Sequence, residues 1–261
     1  MLVIKYGGNA MKSLELRRTI AAEIAHLRAR ESVVVVHGGG PVIEQILQKL
    51  GLESHFLRGL RVTSSAAMDA IEMAITRLSK ELAQDLGGAI GLSARDDLLL
   101  EGELLESGGG ELGRVGQVLN VNTNLLEGLL KMGVTPVIGC MGLDAQGEPF
   151  NVNADWVAGA VAGALKSPII YLSDVEGVYR NYPDPSSLIS NLSAPDARAG
   201  IEEGWIAGGM IPKVEAAIYA LEQGATGATL ASGMQAGVLE RILAGGAGTR
   251  FSQSCGFTVL K

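Results

Sequence analysis

The sequence predicts an α/β protein built on one continuous, mainly parallel sheet. Short apolar runs recur along the chain and stop at glycines or polar residues, and most are followed by apolar residues at helical spacing. The clearest run, residues 33–40, reads Val-Val-Val-Val-His-Gly-Gly-Gly with no alternation of apolar and polar positions. A β-branched run that is apolar throughout is a strand covered on both faces, as in parallel sheets. The 261 residues suffice for one large α/β domain or two closely joined lobes.

Residues 2–5, Leu-Val-Ile-Lys, form the first strand, and Tyr6, Gly7 and Gly8 follow it. Open α/β sheets bind ligands at the carboxyl ends of their strands. Lys5 is therefore either a point charge aimed at that crevice or a solvated edge lysine. Met11, Lys12 and Ser13 look like the end of a P-loop, but that motif needs glycine where Tyr6 and Met11 stand. Ser13 instead caps a helix whose apolar face is Leu16, Ile20, Ile24 and Leu27. After the central strand, Gly38, Gly39 and Gly40 meet Pro41, which opens a helix carrying Ile43, Ile46, Leu47 and Leu50. Bare N–H groups at a helix N-terminus can hold an anion by backbone alone. The same glycines would also serve a tight strand-to-helix turn.

Residues 53–57 are strand-like, and 58–63, Arg-Gly-Leu-Arg-Val-Thr, form a loop. A helix follows, capped by Ser64 or Ser65, with Ile71, Ile75, Leu78 and Leu82 as its buried stripe and Gly87 closing it. Arg61 is either a bidentate partner for a carboxylate or an ordinary solvated arginine. Residues 89–93 are strand-like and 97–118 a projecting hairpin. Gly108, Gly110 and Gly113 there spell G-x-G-x-x-G, without the preceding apolar strand or following helix that a dinucleotide site requires. A helix over 123–132 ends at Gly133, 134–139 is a buried strand, and 144–148 makes a hairpin turn. Asn151, Asn153 and Asp155 precede a small-sided helix over 156–165. They could all be caps, yet two amides and a carboxylate exceed what one helix start needs.

Residues 169–172 are an apolar strand ending in Ser173 and Asp174, and 182–186 is turn-rich. Residues 205–213 lead into a helix buried through Val214, Ile218 and Leu221, with Lys213 in its first turn. A lysine is unfavourable beside the positive end of a helix dipole, so something anionic should be bound there. Residues 226–230 and 257–260 are strand-like, and 238–243 is helical.

Composition narrows the function. A net charge of −7 argues against nucleic acid as the main partner. Cys140 and Cys255 lack metal-type spacing and read as reduced packing residues. No stretch of about 18 apolar residues occurs and the chain opens on a strand, so neither a membrane span nor an export signal is expected, and a cytoplasmic location is.

Six stretches then carry a resemblance: Lys5 to Gly8, His37 to Gly40, Arg58 to Thr63, Asn151 to Asp155, Ser173 with Asp174, and Gly208 to Lys213. In this order and spacing they resemble the motif set of the amino acid kinase family, across nearly the whole chain. Residues 59–63 with 151–155 are most similar to the branch acting on N-acetyl-L-glutamate in arginine biosynthesis, apart from carbamate, uridylate and aspartate kinases. The implied fold is a three-layer αβα sandwich with a mostly parallel open sheet of about eight strands. Residues 1–165 would form a lobe for the amino-acid substrate and dimerisation, and 166–261 a lobe for ATP.

The resemblance assigns Lys5 and Lys213 to the phosphoryl group in transit and Asp155 to orienting both lysines. It gives Gly39, Gly40, Arg61 and Asn151 to N-acetyl-L-glutamate. To ATP it gives Gly7, Gly8, Gly38, Ser173, Asp174, Gly177, Val178, Tyr179, Ile206, Gly208, Gly209 and Met210. Mg²⁺ would be held by the ATP phosphates and water, with no protein metal ligand, and His37 would be structural. Phosphoryl transfer needs positioning and charge stabilisation, and a carboxylate acceptor, already ionised, needs no general base. Ser64 departs from the acidic residue frequent at its position. One alternative is a kinase for glutamate or aminoadipate attached to an acidic carrier protein, which this chain's negative charge disfavours. Another is a non-catalytic amino-acid sensor, disfavoured by the retention of Lys5, Asp155 and Lys213. Family members inhibited by arginine carry a helix ahead of the first strand that joins dimers into a hexameric ring. The four residues before Lys5 leave no room for it, so the expectation is a two-fold homodimer through the 65–86 helix, without arginine control.

Overall fold

The computed structural model describes residues 1–7, 14–105, 111–253 and the backbone of 258–259. The first half of the chain contains β1 (Leu2–Tyr6), α1 (Leu14–Leu27), β2 (Val33–His37), α2 (Gly40–Lys49), β3 (Phe56–Leu57), β4 (Leu60–Arg61), α3 (Ser65–Leu86), β5 (Ala89–Leu92), β6 (Leu100–Leu104), β7 (Gly116–Val121) and α4 (Thr123–Lys131). The second contains β8 (Thr135–Gly139), β9 (Met141–Leu143), β10 (Pro149–Asn151), α5 (Ala154–Ala164), β11 (Ile169–Ser173), β12 (Ile189–Ser193), α6 (Ala194–Glu202), α7 (Ile211–Glu222), β13 (Ala228–Ser232), α8 (Val238–Leu243), β14 (Thr249–Ser252) and β15 (Thr258–Val259).

Nine strands make the main sheet, in the order β15-β12-β14-β13-β11-β1-β2-β8-β5. Neighbours are parallel except for the β13–β14 and β12–β15 pairs. The chain leaves β1 for β2 on one side and later returns to its other side as β11. That reversal makes β1 a switch point, where crossovers diverge and leave a crevice at the strands' carboxyl ends. Lys5 lies there, in register with Val36 on one side and Tyr171 on the other.

Alternation along the central strands sorts side chains between two helical layers. Leu2, Ile4, Val33 and Val35 cluster with α1, α8 and the second half of α3. Val3, Val34, Val36 and Tyr171 cluster with α5 and α7. Both faces are covered, which is why these strands are apolar at nearly every position before their carboxyl ends.

The structure corrects several sequence expectations. The strand expected over 53–57 shrinks to β3, and residues 60–61, expected as loop, pair with it antiparallel. Arg58 and Gly59 both adopt left-handed backbone, at φ 52 and 80°, which closes a two-residue hairpin. Ser64, and not Ser65, caps α3 by accepting the Ala67 N–H at 3.1 Å. The 97–118 hairpin exists as β6 and β7, but it joins β9 and β10 in a second, four-stranded sheet. The nine strands of the main sheet agree with the expected mostly parallel sheet of about eight. Unforeseen were β12, β14 and α6, although Ser193 caps α6 and Pro195 stands in its first turn. Ser13, Gly108, Gly110 and Cys255 lie outside the described residues.

Helices α5 and α7 approach closely because α5 presents glycine where they meet. A Cβ on Gly159 would lie 2.8 Å from Tyr219 Cδ1, and one on Gly163 would lie 2.4 Å from the Gln223 carbonyl oxygen. Backbone cannot yield as a side-chain tip can. Gly163→Ala is therefore expected to destabilise the protein by about 1–3 kcal/mol through overpacking, read as a lower urea midpoint at unchanged m-value; an unchanged midpoint would mean that the helices can part at no cost.

Candidate active site

The start of α5 is set by Asn153, whose Oδ1 accepts the Asp155 N–H at 2.9 Å. Asp155, the second residue of the helix, thus has its carboxylate at the carboxyl end of β1, where its Oδ1 lies 2.7 Å from Lys5 Nζ. Lys213 sits in the first turn of α7. Lys5, Asp155 and Lys213 together line one small enclosed cavity of about 20 Å³, with Tyr171, Leu172 and Ser173 among its other walls. The expectation that Asp155 orients both lysines meets a different pairing here. Asp155 pairs with Lys5, whereas Lys213 Nζ lies 3.8 Å from Asp174 Oδ1 and donates to the Gly209 carbonyl at 3.4 Å. Asp174 is thus an anion beside the lysine that the α7 dipole disfavours.

Next to this cavity a cleft of about 200 Å³ is lined by residues that include Gly38, Gly39, Gly40, Arg61, Asn151 and Cys140. No side chain caps the N-terminus of α2, so its first N–H groups are open to a ligand. The Gly38 N–H is the exception to the expected cradle, since it donates to the Tyr6 carbonyl at 3.2 Å. A Cβ on Gly7 would lie 2.8 Å from Lys5 Nζ, and one on Gly39 would lie 2.4 Å from Ile75 Cδ1, so a side chain at either position would have to displace a neighbouring side-chain tip. Gly8 falls outside the described residues.

Arg61 is buried, not solvated. Its guanidinium bonds Glu44 at 2.8 Å, donates to Ser54 Oγ, and stacks 4.6 Å from the centroid of the Phe56 ring. The Arg61 hydrogen bond, aided by one from Ser54, holds the Glu44 carboxyl below the usual range. Asn151 is on β10 and not a cap; its Nδ2 donates to Thr63 Oγ1 at 3.3 Å, and Thr63 Oγ1 donates to the Arg61 carbonyl at 2.8 Å. The two substrate candidates are thus tied to each other. Glu44, Ser54 and Phe56 were missed from sequence because only the β3–β4 hairpin and α2 bring them round Arg61. Burial pushes the Cys140 thiol up to about 11, in line with a packing role.

The nucleotide candidates form two segments. Ser173 ends β11 and Asp174 to Tyr179 follow it, while Ile206 to Met210 precede α7. The Lys213–Asp174 contact connects them. Val178 and Ile206 are core side chains, each 1% exposed, so they can offer a ligand only backbone. The Val178 N–H is already taken by Thr249 Oγ1 at 2.8 Å, and a Cβ on Gly177 would strike the same oxygen at 2.6 Å. Tyr179 donates to Glu176 at 2.6 Å, and burial with that bond pushes its hydroxyl up to about 12. Gly208, at φ 56°, and Gly209 have open space around them.

The model of the amino acid kinase family matches residues 1–232. The chain belongs to the amino acid kinase family. It is similar to the acetylglutamate kinase of Deinococcus radiodurans, at 55% identity over 95% of this chain and 99% of that one. The acetylglutamate kinase of Thermus thermophilus is 47% identical over 97% of this chain and 98% of its own. Among solved structures, N-acetylglutamate synthase from Neisseria gonorrhoeae in complex with coenzyme A and L-arginine superposes with a TM-score of 0.81 at 22% identity. That alignment covers 97% of this chain and 61% of the synthase, and it speaks for the shared fold alone. Among the described residues of this family member no group of three or more His, Cys, Asp and Glu could hold a metal ion, and no helix is long and apolar enough to cross a membrane.

His37 ends β2 wholly buried. Its Nδ1 lies 2.9 Å from the Gly38 carbonyl and its Nε2 2.7 Å from Ser79 Oγ. A carbonyl only accepts, so the neutral ring carries its proton on Nδ1, and Nε2 shares the single Ser79 hydroxyl proton with the Ile75 carbonyl, which lies 3.0 Å from Ser79 Oγ. Burial lowers its pKa from 6.5 to about 4. The unfolded chain therefore binds the proton first on acidification, and the contribution is complete above about pH 6.5 and lost as pH falls to about 4, by about 3 kcal/mol in total. Urea denaturation across this window should show a shallower loss of stability in His37→Gln than in the parent; equal slopes would refute it.

Proposed function

We infer that this chain transfers the γ-phosphoryl group of ATP to the side-chain carboxylate of N-acetyl-L-glutamate, forming N-acetyl-L-glutamyl 5-phosphate and ADP. The observation that carries this reading is the convergence of Lys5, Asp155 and Lys213 on one cavity beside the Arg61–Asn151 cleft. Relatives named acetylglutamate kinase over nearly the whole length agree with it.

In this reading the substrate carboxylate attacks the γ-phosphorus in line with the departing ADP oxygen, and no proton need be removed because the nucleophile is ionised at neutral pH. The Lys5 and Lys213 ammonium groups offset the charge on the transferring oxygens, with the N–H groups of Gly7, Gly39 and Gly40 beside them. Asp155 holds Lys5 in place. Arg61 has two edges to offer, of which Glu44 and Ser54 engage one nitrogen, and a substrate carboxylate would use the rest together with the Asn151 amide. Asp174, the residues after it and Gly208 to Met210 serve the nucleotide. Mg²⁺ would be held by the nucleotide's phosphates and water and would offset their charge, with no protein ligand of its own. Residues 1–165 are read as the amino-acid lobe and 166–261 as the ATP lobe, acting in the cytoplasm.

The dimer is placed on α3. Its outward side carries Asp69, Met73 and Arg77, an acid and a base on either side of an exposed methionine, which becomes self-complementary when two copies lie antiparallel. Light scattering should return twice the chain mass, and a monomer would remove the proposal.

The function is tested by mixing the protein with ATP, Mg²⁺ and N-acetylglutamate and trapping the acyl phosphate with hydroxylamine; no hydroxamate above the acceptor-free control would defeat the reading. Lys213→Ala should lower kcat by roughly 10²- to 10³-fold, the loss of one transition-state donor, with little change in the KM for N-acetylglutamate. Arg61→Lys should do the reverse and raise that KM chiefly, because an ammonium cannot make a two-pronged contact.

A further inference from the structure

Tyr171 occupies an unusual place for a phenol. It stands on β11, in register with Lys5 on β1, and it is buried in the apolar layer between the sheet and α5 with α7. Its hydroxyl ends between two helices. It lies 3.2 Å from the Asp155 carbonyl oxygen in the first turn of α5 and 3.1 Å from the Ala216 carbonyl oxygen in α7. The ring also walls the cavity shared by Lys5, Asp155 and Lys213.

Neither carbonyl requires this bond. Both residues lie inside helices, where each carbonyl already accepts the N–H four residues on. The phenol reaches the second lone pair of both and shares its single proton between them. The bond therefore does nothing for helix formation and fixes only where one helix lies relative to the other. Burial raises the hydroxyl well above its ordinary pKa, so it stays a donor wherever the enzyme works.

We propose that the Tyr171 hydroxyl is a positioning group for phosphoryl transfer: it ties the helix bearing Asp155 to the helix bearing Lys213 and so sets the spacing of the two cationic arms. The inference rests on the function given above. On α7, Ala216 is one turn beyond Lys213, so the tie acts within a turn of each functional side chain. The α5–α7 contact at Gly159 and Gly163 sets how near the helices come, and the phenol sets how one is placed along the other at the end where the chemistry occurs. Displacements of an ångström or less at a reacting centre are costly in rate while leaving ground-state binding nearly intact.

The test is Tyr171→Phe in the full chain, which keeps the ring and removes the hydroxyl. With the protein shown folded by circular dichroism, kcat at 25 °C should fall about tenfold while the KM values for N-acetylglutamate and ATP stay within about twofold. In a Lys213→Ala background the same change should cost less than about twofold, since the arm it positions is gone. Should the phenylalanine variant not fold, the hydroxyl is required for folding and the positioning role falls. An unchanged kcat, or equal losses in both backgrounds, would overturn the proposal, because a merely structural hydroxyl would lower the melting temperature without this split. Absence of hydroxamate from the parent enzyme would instead refute the function itself.

Discussion

Two ammonium groups must be held at one small cavity, and the rest of the site follows from how the protein tolerates that. Lys5 and Lys213 repel each other, and Lys213 also faces the positive end of its own helix. Each is answered by a different carboxylate, Asp155 for Lys5 and Asp174 for Lys213. The two carboxylates come from different layers: Asp155 starts a helix, and Asp174 follows the strand beside β1. The cation pair is consequently stable only where α5, α7, β1 and β11 meet, which is the switch point of the sheet. Its location is an electrostatic requirement met by topology.

Close helix packing serves the same end. Gly159 and Gly163 let α5 lie against α7 at a distance no side chain would allow, so Asp155 and Lys213 stand in the first turns of two closely packed helices. The cleft on the other side of β1 is built differently. Arg61 is held by a carboxylate, a hydroxyl and an aromatic face, while Thr63 links its backbone to Asn151. The guanidinium is already desolvated and oriented before a ligand arrives, which reduces the ordering cost of binding. In the proposed function, one half of the site prepares charge for a transition state and the other prepares geometry for an acceptor.

Much of this was legible in the chain. The unbroken apolar run at 33–36 announced a strand covered on both faces, and the glycines after it announced a bare helix N-terminus. These readings succeed because they depend on local sterics, strand period and helix dipole, all of which act within a few residues. Short elements were less legible. The β3–β4 hairpin, β12, β14 and α6 carry too few residues for a periodic signal, and their pairing depends on partners far along the chain.

What the sequence determined by itself is the alternation of strands and helices, the loops that end at glycine, and the identity of the charged residues at those loops. What only the tertiary structure decided is which charges pair. Asp155 stands between Lys5 and Lys213 in the family's logic, yet here it engages one and leaves the other to Asp174; Gly38 looks like part of a cradle, yet its N–H belongs to Tyr6; and Tyr171 reads as one more apolar strand residue, yet its hydroxyl joins two helices. Coulombic and hydrogen-bond partners are chosen by distance in space, and a sequence specifies distance only along the chain.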